Sequence, residues 1–207
     1  MPWDGFYGGD AVVCRGPRNE ITKAYLYDYY ERDVLNADHP GFFDPRLSDQ
    51  QFVSAIADKL EALSPDVFLA FRREAGKLAT YLRAGKRPSH PDFIFQKKLR
   101  IDQIPDQGPR RVLYLSRDCK VEQLVIRYKR YNRVTYYIQS DVFQKLSAKD
   151  RRGLILHEAL YHSFNLFYGD TDSARSRFFN RGLIARPLRQ LSTSYLEDLL
   201  KRAYAFF

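Results

Sequence analysis

The chain has 207 residues, 44% of them hydrophobic and 15% aromatic, enough to bury a substantial core and too apolar to stay disordered throughout. Its 34 lysines and arginines against 25 carboxylates give a net charge of +9, which draws anionic lipid, lipopolysaccharide, nucleic acid or other acidic polymers by long-range electrostatics. No run approaches the roughly 20 apolar residues that span a bilayer, and the basic residues are spread in pairs such as Arg72-Arg73 and Arg110-Arg111, without the signature of a nucleic-acid-binding fold.

The first segment, Met-Pro-Trp-Asp-Gly-Phe-Tyr, lacks a basic-then-apolar leader and reads as the start of a mature exported chain from which a signal peptide has been removed. The expected location is periplasmic or secreted. Gly8-Gly9-Asp10-Ala11-Val12-Val13-Cys14 then predicts a turn and a short strand, closed by the turn formers Gly16-Pro17-Arg18-Asn19. From Ile21 to about Leu35 bulky residues recur at mixed three- and four-residue spacings, predicting an amphipathic helix that Asp38-His39-Pro40-Gly41 ends.

Ser48 and Gln51 form a capping box at the head of a second helix, running to about Leu63. Ser64-Pro65-Asp66 reads as a break and restart into a third helix, Asp66 to Leu82. The segments 84–91 and 104–109 bracket a loop-rich connection. Lys120 to Lys129 and Arg133 to Gln139 are β-branched and aromatic runs that predict two strands, with Lys129-Arg130-Tyr131-Asn132 as their hairpin. Ser147 and Asp150 cap a further helix from about Ala148 to Phe167. The pattern predicts an α+β fold, mainly helical, with the helices packed on a small antiparallel sheet. It forms a single domain over 1–207, with a helical part at about 20–85 and the sheet and last helix at about 111–207. Cys14 and Cys119 each sit beside a candidate strand and form either one long-range disulfide or two buried thiols.

The last helix carries His157-Glu158-Ala159-Leu160-Tyr161-His162. The histidines stand at i and i+5, which a regular helix places about 140° apart, and a one-residue π-bulge would bring them to a common face. The pattern His-Glu-x-x-x-His resembles the zinc motif of the dipeptidyl peptidase III family of zinc exopeptidases, over six residues. The resemblance implies zinc held by His157 and His162, with Glu158 as the general base that takes a proton from zinc-bound water. That family has Gly at the position of Tyr161 and draws its third ligand, a Glu, from a second acidic motif in a far longer chain. Here the turn Gly169-Asp170-Thr171-Asp172-Ser173 would return Asp172, or Asp170, as the third ligand.

A wider likeness joins Gly8-Gly9-Asp10 and Val12-Val13-Cys14, Leu154 to Tyr161, and Gly-Asp-Thr-Asp-Ser with Arg175 or Arg177 following. These segments resemble a group of uncharacterised exported bacterial proteins, in which the position of His162 is often another residue. The likeness implies export and a site of His157, Glu158, Asp172 and Ser173, with Ser173 and Arg177 as binding residues. Two functions follow. One is a zinc-dependent hydrolase, in particular a peptidase, acting on peptides in the bacterial envelope. The other is a non-catalytic exported protein that binds an anionic envelope component or a protein partner. In that second reading His157 and Glu158 are a buried pair tied to the Asp-Thr-Asp-Ser turn, and Arg177 neutralises a carboxylate.

Overall fold

The structure, a computed structural model, describes residues 6–30, 42–82, 90–97, 99, 115–130 and 133–205. Strand β1 (Phe6–Tyr7) leads through Gly8-Gly9 into β2 (Asp10–Arg15), and a tight turn returns the chain as β3 (Ile21–Leu26). In that turn Asn19 adopts φ 63°, a left-handed conformation that asparagine tolerates better than most residues. Ile21 to Leu26 is thus a strand and not the start of the helix expected over Ile21 to Leu35. Helix α1 (Tyr27–Tyr30) is only four residues, and 31–41 lies outside the described residues. The spacing of Ile21, Ala24, Tyr25 and Leu26 suits either period, and antiparallel pairing with β2, Leu26 opposite Ala11 and Lys23 opposite Cys14, decides for the strand.

Helix α2 (Asp49–Glu61) opens with both halves of the expected capping box between Ser48 and Gln51, and α3 (Pro65–Tyr81) carries Pro at its first position. Within the segment read as loop-rich lies a strand, β4 (Phe93–Gln96). The run expected as one strand from Lys120 to Lys129 is two, β5 (Cys119–Gln123) and β6 (Val125–Arg130), which part at Leu124 and join different sheets. β5 completes a three-stranded antiparallel sheet of order β3-β2-β5. β6 lies in a four-stranded sheet of order β1-β6-β7-β4, where β7 (Arg133–Gln139) is its antiparallel hairpin partner and β4 runs parallel to β7. Helix α4 (Ser140–Lys145) follows, then α5 (Ala148–Tyr168), α6 (Ala174–Leu183), a 3-10 turn at Leu188–Gln190 and α7 (Thr193–Ala205). The fold is α+β, as the sequence pattern implies, with two small sheets instead of one.

Helix α5 is the axis of the packing. Ser147 caps its start by accepting the Asp150 N–H, and Gly169, at φ 70°, ends it. Every residue from Gly153 to Tyr161 is buried, with α3, α6 and β3 among the elements packed on it. A helix enclosed on all sides needs apolar, small or internally satisfied residues in every direction. Gly153 meets that demand most sharply, because a Cβ there would lie 2.1 Å from the Tyr29 ring.

The small sheet has two different faces because successive strand residues alternate. Ala11, Val13, Ala24 and Leu26 join the main core with α5, while Val12 and Cys14 form a satellite cluster with Tyr30 and Cys119 on the opposite face. Cys14 and Cys119 stand directly opposite one another on β2 and β5 and form a disulfide. Among the described residues no helix is long and apolar enough to cross a membrane.

Candidate functional site

Gly9 is where the two sheets and the motif helix meet. Its carbonyl accepts the N–H groups of Leu124 and Val125, both at 3.0 Å, at the point where β5 gives way to β6. Its own N–H donates to Glu158 Oε1 at 2.7 Å. A Cβ at Gly9 would lie 2.9 Å from the Leu154 side chain and 3.2 Å from Glu158 Oε1, so the close approach requires glycine.

On the next position of α5, His157 Nδ1 and Asp28 Oδ2 of α1 are hydrogen bonded at 2.8 Å. The same Asp28 oxygen accepts from Asn180 Nδ2 of α6 at 2.6 Å, and that nitrogen also donates to the Gly153 carbonyl at 3.0 Å. The Tyr29 hydroxyl donates to Asn180 Oδ1 at 2.9 Å, so every polar atom of the Asn180 side chain is engaged. His157, Glu158 and Asn180 have no exposed surface at all.

Burial sets the ionisation of these groups against their partners. Desolvation alone would lower the His157 pKa, but the charge of Asp28 and its hydrogen bond outweigh it and hold the imidazole at about 9. Desolvation would likewise raise Asp28, and there His157, Asn180 and Arg177 prevail and keep it below its ordinary value. Glu158 goes the other way. Its burial raises it to about 7 against the opposing pull of His157, the Gly9 N–H and Arg127.

The third segment reaches this centre through α6. Arg177 Nη1 donates to Ser173 Oγ at 3.1 Å, lies 4.0 Å from Asp10 Oδ2, and stacks over the Tyr27 ring at 5.6 Å. Gly9-Asp10, His157-Glu158 and Ser173, remote in sequence, therefore converge in space through Arg177 and α5, while Asp170 and Asp172 are engaged elsewhere. The carboxylate beside Arg177 is Asp10, and the partner that fixes His157 is Asp28.

The two motif histidines do not converge. α5 is α-helical from Ala148 to Tyr168, without the π-bulge that common ligation requires. His162 points to a different strand, where its Nδ1 accepts from Arg127 Nη2 of β6 at 2.9 Å. Burial and the Arg127 charge lower its pKa to about 4, leaving a neutral ring. Asp172 Oδ1 accepts the Ala174 N–H at 2.8 Å and opens α6, and Asp170 is paired with Arg175. Among the described residues no group of three or more His, Cys, Asp or Glu is placed to hold a metal ion.

Asp28, Asn180 and Arg127 were not singled out in the sequence. Each is a lone polar residue among large apolar ones, as in Tyr27-Asp28-Tyr29-Tyr30, Phe178-Phe179-Asn180 and Val125-Ile126-Arg127, which is the signal that could have marked them. Several atoms of the cluster have no hydrogen-bond partner among the described residues, namely His157 Nε2, Glu158 Oε2, Asp28 Oδ1 and Arg127 Nε. No protein-family model, curated protein or solved structure matches the chain.

Proposed function

We propose that this protein is an exported, non-catalytic binding protein for an anionic component of the bacterial envelope. The observation that carries the reading is the complete burial of His157 and Glu158, whose contacts go to Asp28 and Gly9 and so to holding α1 and the β1-β2 corner on α5. Groups used in this way stiffen a frame. The net charge of +9 supplies attraction to an acidic polymer, and the Cys14–Cys119 disulfide suits an oxidising compartment such as the periplasm or the exterior.

Cosedimentation with lipopolysaccharide micelles, with phosphatidylcholine vesicles as the neutral control, tests it. Retention on the anionic particles that weakens with salt is expected, and Glu158→Gln is expected to bind as the wild type does. Absence of retention, or hydrolysis of envelope peptides that disappears in Glu158→Gln, would overturn the reading.

A second reading, the zinc-dependent peptidase, has one observation in its favour. His157 is oriented by a carboxylate at Nδ1 with Nε2 left open, as ligand imidazoles commonly are, and Glu158 Oε2 is open beside it in sequence. Elemental mass spectrometry on tag-free protein decides it. Stoichiometric zinc that is lost in His157→Ala supports the peptidase, and no zinc after incubation with the metal removes it.

A further inference from the structure

The outer face of the small sheet, away from the buried polar cluster, carries a cavity of about 700 Å³ whose lining includes the disulfide. That volume is within the range of pockets that enclose small organic ligands. Strand register explains what faces it. Lys23, Cys14 and Cys119 lie in one cross-strand row, and Tyr25, Val12 and Val121 in the next. Lys23 and Tyr25 of β3 and Tyr30 of α1 line it, with Asp118 at the entry to β5.

The polar groups of this cavity divide sharply into used and unused. Arg15 is fully committed, its Nε and Nη2 to Glu122 at 3.0 and 2.9 Å and its Nη1 to the Asn19 carbonyl. Thr22 donates to the Cys14 carbonyl, and Ser116 is bonded to the Cys119 sulfur. Lys23 and Asp118, both exposed at the rim of the cavity, have no ion-pair or side-chain hydrogen-bond partner among the described residues. Tyr30 is 4% exposed, yet its hydroxyl has no hydrogen-bond partner there either, and the residue lines the cavity. The Tyr30 ring is packed away while its hydroxyl keeps contact with the open space of the cavity. Tyr25 packs edge to face on Tyr30, centroids 5.6 Å apart, which holds the half-buried Tyr25 ring against the cavity.

We propose that this cavity is a binding site for an anionic saccharide. Lys23 takes the acidic group, the Tyr25 ring supports the apolar face of a pyranose, and the Tyr30 hydroxyl and Asp118 carboxylate bond to sugar hydroxyls. The proposal rests on the binding reading above and names its site and ligand class. A peptide is the competing ligand, since Lys23 and Asp118 would also meet its carboxylate and ammonium ends. The half-buried Tyr25 ring, braced by Tyr30 and adjoining Lys23 on the same strand, favours the sugar.

The experiment is titration calorimetry of the full oxidised chain with trigalacturonate, with maltotriose as the neutral saccharide and triglutamate as the acidic peptide. Binding of trigalacturonate at least tenfold tighter than either control is expected. Lys23→Gln should weaken it about tenfold and remove most of its salt dependence. Tyr30→Phe, which deletes only the hydroxyl, should weaken it roughly 2- to 10-fold, the worth of one hydrogen bond. Thermal unfolding of both variants within a few degrees of the wild type confirms that the frame is kept. Preference for triglutamate, or affinity unchanged in both variants, would overturn the site. Lipopolysaccharide retention that persists unchanged in these variants would overturn the site while leaving the binding function standing, and loss of retention in the wild type itself would remove both.

Discussion

Glu158→Gln separates a frame-holding carboxyl from a catalytic one by thermodynamics alone. Free carboxyls of this type ionise near 4.5, whereas burial raises Glu158 to about 7. Between those values the native state keeps a proton that the unfolded chain has already released, so stability falls as pH rises through the window and the full penalty is present above 7. At 1.36 kcal/mol per unit the shift corresponds to about 3 kcal/mol lost between pH 4.5 and 8. His157, held at about 9 by Asp28, keeps its proton while the unfolded imidazole releases one near 6.5, so it too loses stability as pH rises, in wild type and mutant alike. His162 acts in the opposite sense, since its folded value of about 4 lies below the ordinary 6.5 and stability is lost as pH falls between them. That term is common to both proteins and cancels in their difference. Glutamine preserves the acceptor for the Gly9 N–H and cannot ionise. Urea unfolding followed by circular dichroism at pH 5 and pH 8 should therefore show the mutant gaining on the wild type by about 2.5 kcal/mol from the lower pH to the higher, since part of the shift is already expressed at pH 5. A difference that is independent of pH would mean that burial leaves the Glu158 pKa unshifted, and one that grows against the mutant at pH 8 would mean that ionised Glu158 stabilises the fold; either refutes the account of its burial.

Asp28→Ala removes one partner of a wholly buried ion pair and should cost about 3–5 kcal/mol, with the His157 resonance titrating below 6.5 in histidine-edited NMR instead of near 9; retention of the high value would refute the pairing. Gly9→Ala forces a methyl against Leu154 and Glu158 and should cost roughly 1–3 kcal/mol by urea unfolding; a neutral substitution would show that the β1-β2 corner yields freely. Reduction of Cys14–Cys119, which closes a separation of 105 residues, should lower stability by on the order of 4–5 kcal/mol in the chain-entropy account. Unfolding midpoints that are equal with and without reductant would contradict it.

Local chemistry was readable where a residue's neighbours in sequence settle its structure. The capping box at Ser48, Pro65 at a helix start, the Ser147 cap and the long helix behind it all rest on contacts within a few residues. The reading failed where pairing at long range decides. Ile21 to Leu26 suits a helix or a strand until β2 is beside it, and the run from Lys120 to Lys129 reads as one strand because Leu124 bears no mark of the two Gly9 bonds that divide it. The motif segments are dense in His, Glu, Asp and Ser, yet of the Asp-Thr-Asp-Ser turn only Ser173, through Arg177, reaches the cluster. Its partners Asp28 and Asn180 were hidden because a single buried polar residue in an aromatic run has no spacing to betray it.

The bond from Gly9 to Glu158 joins positions 149 apart, and His157 with Asp28 spans 129. During synthesis the strand beside Gly9 therefore emerges long before the helix that will seat it, and the central packing stays open until that helix has been made. Such a topology folds slowly, since loop closure must precede the contacts that reward it. A chain that stays open so long leaves the apolar strand around Gly9 unprotected until the helix with residue 158 arrives to cover it.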